Sequence, residues 1–586
     1  MMYEVMPDHI RKICAVAGLF ILLSLVAGQS AGWCAAPSRG GRLVLALSSD
    51  PKSFNPVMAQ ETSTSVVTSY IFEGLTTLNA ETLEPEPNLA ESWRVSQDGR
   101  TWTFHLRRDV CWNDGEPFTA DDVVFTFERL IYNDAIPNSA RDIFTIDGQA
   151  ITVSRVDEHT VRFRLPVKFA PFLMALSQPI LPRHCLEQAV NDGAFAFTWG
   201  IDTPPSQIVG TGAFRLTRYR PGERLVFERN PFYWKQDENG ERLPYLDGLI
   251  LLIVPNQDAA VLKFLEGEVD YCPVRGSDYA LLKGLEKKDH FTIYETGPDF
   301  GSNFLLFNQN PGSEPGTPPR PYVEPRKLRW FTDRDFRRAV AHAIDKTRMI
   351  EIVNNGLGYP QDSPLSPSAG FFFTENVRRY PYDLERARLV LSMAGYRDRD
   401  GDGIIEDASG EPVEFNLYTN AGNTEREQIA AMIRRDLGQL GMKVNLLALE
   451  FNSLIRKLNA SFDWDAVVIG LTGGIEPHFG KNVWDSSGQL HLWFPKQAGP
   501  ATDWERRVDE IFIQAAQEMD REQRKVLYDE WQLIVSQELP VIYTVLGSNV
   551  FAVRNIFGNL RPTSYGGAFH NIEEIYIQGH TDTTTQ

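Results

Sequence analysis

The chain has 586 residues, which corresponds to about three or four domain-sized units and not one simple core. Its 42% hydrophobic and 23% charged residues, with 35 Phe, 19 Tyr and 12 Trp, are those of a folded globular protein and exclude extended disorder away from the ends. The net charge of −19 argues against binding to nucleic acid or anionic lipid, both of which need clustered Lys and Arg, and is read as solubility.

Residues 1–36 read as a secretory signal. Arg11 and Lys12 precede an apolar run from Ile13 to Ala27, and the small residues Gly28, Ser30, Ala31 and Gly32 follow. The run is shorter than the roughly 20 residues a membrane-spanning helix needs. Cys34 is a candidate acylation site, but Trp33 before it is a poor fit to a lipoprotein signal, so cleavage and release are expected. The predicted location is therefore periplasmic or extracytoplasmic. Beyond the signal only Cys111, Cys185 and Cys272 remain, enough for one bridge in an oxidising compartment. None has a C-x-x-C spacing, so zinc and redox chemistry find no support.

Residues 43–47 read as the first strand, Asp50 to Pro56 as a turn, Ser65 to Phe72 as a helix and Gly74 to Leu78 as a second strand. Alternation in Thr101-Trp102-Thr103-Phe104-His105-Leu106 predicts a half-buried strand. Asp114-Gly115 marks a tight turn, and Thr119 then caps a helix, with Asp122 in the capping-box position and Phe118 and Val123 as a hydrophobic staple. The same device is predicted at Thr332 with Asp335, and at Thr424 with Glu427. The third helix carries the stripe Ile429, Ala430, Ile433, Leu437 and Leu440 and stops at Gly441. Strands at Lys443 to Leu449 and Ala466 to Ile469 complete a β-α-β-α-β rhythm, which implies an α/β fold with a helix-covered sheet.

Four stretches carry a resemblance. They are Ser92-Trp93 through Asp114-Gly115-Glu116-Pro117-Phe118-Thr119-Ala120-Asp121-Asp122-Val123, then Gly210 to Trp234, then Leu262 to Tyr271, then Phe336 to Lys346. Together they resemble family five of the bacterial extracellular solute-binding proteins, the group of dipeptide-, oligopeptide- and nickel-binding receptors of ABC importers. The resemblance runs from about residue 42 to 575. It implies a two-lobe periplasmic-binding-protein clamp of type II kind with an extra domain. Lobe one would take 42–80, 205–298 and 553–580, the inserted domain 81–204, and lobe two 299–552. Hinge closure around a ligand would follow. The partners implied are a peptide or small-molecule ligand and the permease subunits, with contact to the membrane only through the permease or an anchor at Cys34, and the protein is expected to be a monomer. The signature from Trp93 to Val123 specifies a strand, a turn and a capped helix, and is read as fold-determining.

By the same resemblance, candidate ligand-binding residues are Gln60, Glu61 and Thr62 from lobe one, and Thr472, Gly473, Gly474, Glu476 and Trp484 from lobe two. Peptide receptors of this kind have a Gly-Trp-Thr-Gly-Asp loop whose aspartate pairs with the ligand's α-ammonium; here Gly474 stands in its place. An ammonium in a dry cleft needs an anion, so Glu476 is the expected substitute, or else the ligand lacks a free amine. Peptide capture is thus the leading reading. The alternative is the same fold serving an oligosaccharide, an opine or a metal chelate. A secreted hydrolase finds no G-x-S-x-G or H-E-x-x-H motif, and no catalytic residue or cofactor is predicted. One acidic loop stands apart. Asp398, Asp400, Asp402 and Glu406 occupy positions one, three, five and nine of a calcium-type loop with Gly403 at six, although Ser409 replaces the usual Glu at twelve. It is read as an acidic turn or a structural calcium site remote from the ligand.

Overall fold

The computed structural model describes residues 37–579 apart from 59–61, 139, 147 and 489. The signal segment, Cys34, Gln60 and Glu61 therefore lie outside the described residues. No helix among those described is long and apolar enough to cross a membrane.

The first sheet is built from Arg42–Leu47, Gly248–Ile253, Arg224–Arg229 and Phe214–Arg220, in that spatial order. The chain leaves it after the first strand and returns some 170 residues later, so the sequence between is an excursion. That excursion holds its own antiparallel sheet, ordered Ala90–Val95, Thr101–Leu106, Thr160–Arg164 and Thr152–Asp157. The alternation read in the sequence holds here: Trp102, Phe104 and Leu106 are buried, and the residues between them are partly exposed. Thr119 caps the following helix as expected. Its backbone N–H donates to Asp122 Oδ2 at 2.9 Å, and the Asp121 N–H donates to Thr119 Oγ1 at 3.3 Å.

The other two caps sit one residue away from where they were expected. Thr332 ends the helix Pro325–Thr332, and Asp333 caps the next helix, accepting from the Asp335 N–H at 2.9 Å. Asn423, not Thr424, caps the helix Thr424–Gly438, accepting from the Arg426 N–H at 2.9 Å. Asp and Asn cap at least as well as Thr, so the earlier residue is chosen in one case and the later in the other according to where the chain turns. The buried stripes are unaffected: Ile429, Ala430, Ile433 and Leu437 are fully buried. Cys111, Cys185 and Cys272 are all free thiols, so no pair makes the bridge that their number allowed.

The second lobe is a five-stranded mixed sheet, ordered Lys443–Leu449, Glu414–Asn420, Ala466–Leu471, Ser302–Phe307 and Val541–Tyr543. The first three are parallel, and Ser302–Phe307 runs against both of its neighbours, Ala466–Leu471 and Val541–Tyr543. Both faces are covered. Leu305, Phe307, Leu417 and Val468 point into one core, while Phe304, Leu306, Val467 and Ile469 point into the other, as a period of two demands.

Two adjacent strands join the lobes. Phe291–Pro298 runs on into Ser302–Phe307, and Val541–Tyr543 runs on into Val545–Arg554, which pairs back with Phe291–Pro298. The division read at residue 552 thus falls inside a continuous strand. The inserted domain touches lobe two: Ala170 N donates to Ala516 O at 2.7 Å, Phe169 packs edge-on against His478 at 5.2 Å, and Arg521 pairs with Glu84.

Candidate functional site between the lobes

The three parallel strands of lobe two end at the same edge, facing lobe one, and the loops after them converge there. In open α/β sheets this carboxyl edge is where ligands bind. Two cavities meet at it. One of about 420 Å³ runs down one face of the sheet and is lined by Phe300, Phe304, Leu471 to Gly474, Glu476 and five further large aromatics. The other, of about 780 Å³, lies on the hinge side and is lined by Arg275, Asp299, Asn303, Asn354, Glu425 and Arg426 among others. Ser302, Leu471 and Thr472 line both, so the two are compartments of one interlobe cleft.

The loop expected to carry the site is here. Thr472 lines both compartments, and Gly473 and Gly474 line the apolar one. The glycines are not equivalent. A Cβ on Gly473 would fall 1.8 Å from Phe300 O, so backbone meets backbone there, whereas Gly474 has nothing within 4 Å. Only the first is imposed by packing.

Glu476 lines the apolar compartment, but its charge is already matched. Its Oε1 accepts from Arg524 Nη2 at 2.6 Å and from the His478 N–H at 3.1 Å, and the two side chains are 2% and 7% exposed. Arg524 also donates its Nε to Ala515 O at 2.9 Å and lies over Phe372. Burial opposes the Arg524 charge, and Glu476 more than restores it, leaving its pKa raised. The substitute anion read at Glu476 is thus part of a buried ion pair that staples the loop to the helix Arg521–Glu538, a partner with no signal near it in sequence.

Trp484 belongs to the wall. It packs on Trp493 at 5.5 Å and on Trp531 at 5.3 Å, and all three line the apolar compartment. The indole N–H groups of Trp493 and Trp531 are buried without an acceptor among the described residues. Trp464 is core and lines neither compartment. His491 packs on Trp493 with ring centres 4.0 Å apart and the planes tilted by 52°, behind the wall. His478 faces Phe169, and burial, reinforced by the positive charges of Lys481 and Arg524, pushes its pKa down to about 3. Thr62 opens the helix Thr62–Ser69 and lines neither compartment.

In the hinge-side compartment, burial is the main cause raising the Glu425 carboxyl, and burial likewise lowers the Arg426 guanidinium. This charged group was not read from the sequence. Glu425 and Arg426 open the helix Thr424–Gly438, where a first-turn acid looks like ordinary helix chemistry.

The acidic loop folds as its spacing suggests. One oxygen from each of Asp398, Asp400, Asp402 and Glu406 lies within 4.8 Å of the others. Asp398 is oriented by the N–H groups of Gly401 and Gly403 at 2.7 and 3.0 Å, and Glu406 by that of Arg399 at 2.8 Å. Gly403 has φ +89°, the left-handed turn that position six requires. Four hard oxygen donors at this separation could hold a metal ion.

Comparison with known proteins agrees with this architecture. A "Probable ABC transporter-binding protein" of Deinococcus radiodurans is 28% identical, over 84% of this chain and 84% of its own. The oligopeptide-binding protein AppA of Bacillus subtilis is 25% identical over 92% of both chains, and a periplasmic alpha-galactoside-binding protein of Rhizobium meliloti is 26% identical over 86% of this chain and 74% of its own. The structure of Bacillus subtilis AppA in complex with a nonapeptide superposes with a TM-score of 0.71, covering 92% of this chain and all of that one, so the two-lobe periplasmic binding protein fold is shared. Residues 84–489, more than half of the sequence, match the profile of the bacterial extracellular solute-binding proteins, family 5, and the chain belongs to that family.

Proposed function

We propose that this chain is the extracytoplasmic receptor of an ABC importer, exported by residues 1–36, that captures a peptide between its lobes and delivers it to the permease by closing on it. The observation that carries the reading is the cleft itself. Two compartments of different polarity open on either side of one glycine-containing loop at the carboxyl edge of the lobe-two sheet. A chain molecule could lay polar backbone along Gly470 to Gly474 and drop an apolar side chain into the aromatic compartment. The relatives named for oligopeptide binding support the same reading. No turnover is assigned; the site holds a ligand and does not transform it.

A second reading, the same receptor for an oligosaccharide, opine or metal chelate, is favoured by Gly474 and by the commitment of Glu476 to Arg524. Mass spectrometry of the solute released by denaturing the purified protein tests both. A ladder of short peptides supports the first; one sugar or chelate replaces it with the second. Turnover of chromogenic peptides or glycosides that one carboxylate substitution abolishes would sink the receptor reading. The loop Asp398 to Glu406 is proposed as a structural calcium site of lobe two, away from the cleft lining.

A further inference from the structure

The apolar compartment has no free charge for an ammonium group, because Glu476, the only acid lining it among the described residues, is paired. The hinge-side compartment differs. Asp299 sits where the chain crosses from lobe one to lobe two, is exposed, and makes no ion pair among the described residues; its Oδ1 accepts the Phe300 N–H at 2.7 Å. Its Oδ2 lies 3.7 Å from where a Cβ on Gly301 would stand. Glu425 accepts from Asn303 Nδ2 at 3.1 Å and likewise meets no cation within ion-pairing distance among the described residues. The charge of Asp299 reaches Glu425 and, after burial, helps to raise its carboxyl. Asn354 lines the same cavity and has a buried side-chain oxygen without a partner among the described residues.

Two cations line this cavity. Arg275 is consumed by Asp258 at 2.6 Å and Asp278 at 2.5 Å. Arg426 gives its Nε to Asn303 and one Nη to Asn420, and lies directly behind Gly470, whose Cβ would stand 2.5 Å from its other Nη. Two carboxylates therefore share one guanidinium, two of whose five donors go to amide oxygens, and the compartment carries one negative charge in excess. Carboxylates enclosed by lobe closure lose water and need a positive partner. An ammonium, with three donors and no acceptor, satisfies such a set.

We propose that Asp299 and Glu425 hold a positively charged amine of the ligand in the hinge-side compartment, so that amine recognition stands on the hinge strand and a helix start instead of on the loop at Gly474. This rests on the reading of the interlobe cleft as a peptide site.

The test is calorimetry on protein stripped of bound solute, with C-terminally amidated peptides of three to five residues supplied in pairs, N-terminus free or acetylated. The wild type should prefer the free amine by roughly tenfold or more. Asp299→Asn and Glu425→Gln should each collapse that preference to within about threefold by weakening the free-amine peptide without weakening the acetylated one, a pattern that general damage to the fold does not produce. Equal binding of both members of each pair by the wild type overturns the amine site and leaves the peptide reading intact, as does a preference that survives in both variants. Failure of every peptide to bind, with or without binding of raffinose, overturns the peptide reading and the amine site with it.

Discussion

Glu476→Gln separates two roles that a carboxylate beside a ligand cavity can have. Arg524 Nη2 lies 2.6 Å from Glu476 Oε1, and both side chains are almost fully enclosed. Removing the negative charge leaves a guanidinium in a low-dielectric site with neutral acceptors, Ala515 O and the introduced amide oxygen, and aromatic faces around it. Loss of one member of a buried pair costs about 3–5 kcal/mol. For a lobe of this size each kcal/mol shifts the melting temperature by about 2–4 °C, so a fall of roughly 10 °C is expected. Scanning calorimetry and urea unfolding of solute-free protein should show it. The double change Glu476→Leu with Arg524→Met should recover most of the loss, since no charge is then stranded. Discrimination between free and acetylated peptides should be unchanged in Glu476→Gln. A variant that melts like wild type but no longer binds free-amine peptides would refute this account and return Glu476 to the ligand.

Three further outcomes are expected. Gly473→Ala should weaken peptide binding and lower the melting temperature, because its Cβ meets the Phe300 carbonyl, whereas Gly474→Asp should melt like wild type and leave the free-amine preference in place; circular dichroism and calorimetry compare them. Calcium at about 100 times its dissociation constant should add about 2.7 kcal/mol to chelator-stripped protein, and Asp400→Asn should abolish the gain, read as a melting shift. Acidification should destabilise the protein through His478. Its folded pKa of about 3 lies below the ordinary 6.5, so the unfolded chain takes up a proton first, and stability falls from about pH 6.5 downward by at most about 1.4 kcal/mol per pH unit. His478→Gln should flatten that part of the pH profile in urea titrations.

Local patterns in this chain were enough for local structure. The alternation over Thr101–Leu106, the capping box at Thr119 and the stripe from Ile429 to Leu437 each concern residues within one turn or one strand, where side-chain period and backbone hydrogen bonding act directly. The caps at Asp333 and Asn423 show the limit of that reading, since neighbouring residues of similar capping strength compete and the path of the chain chooses between them. The loop singled out in sequence at Thr472 to Glu476 lines the apolar compartment, and the carboxylates spaced along Asp398 to Glu406 lie within 4.8 Å of one another.

Charge pairing could not be read that way. Whether Glu476 is free for a ligand depends on Arg524, 48 residues on, which reaches it only because the helix Arg521–Glu538 packs beside the loop. Trp531 enters the aromatic wall from the same helix, and Asp299 and Glu425 share a cavity only because the hinge strand and the helix start after Asn420 meet at one edge of the sheet. Propensity and period are properties of neighbours along the chain. The net charge of a cleft is a sum over groups that only the fold brings within reach of one another, and that sum decides what a cleft of this shape can hold.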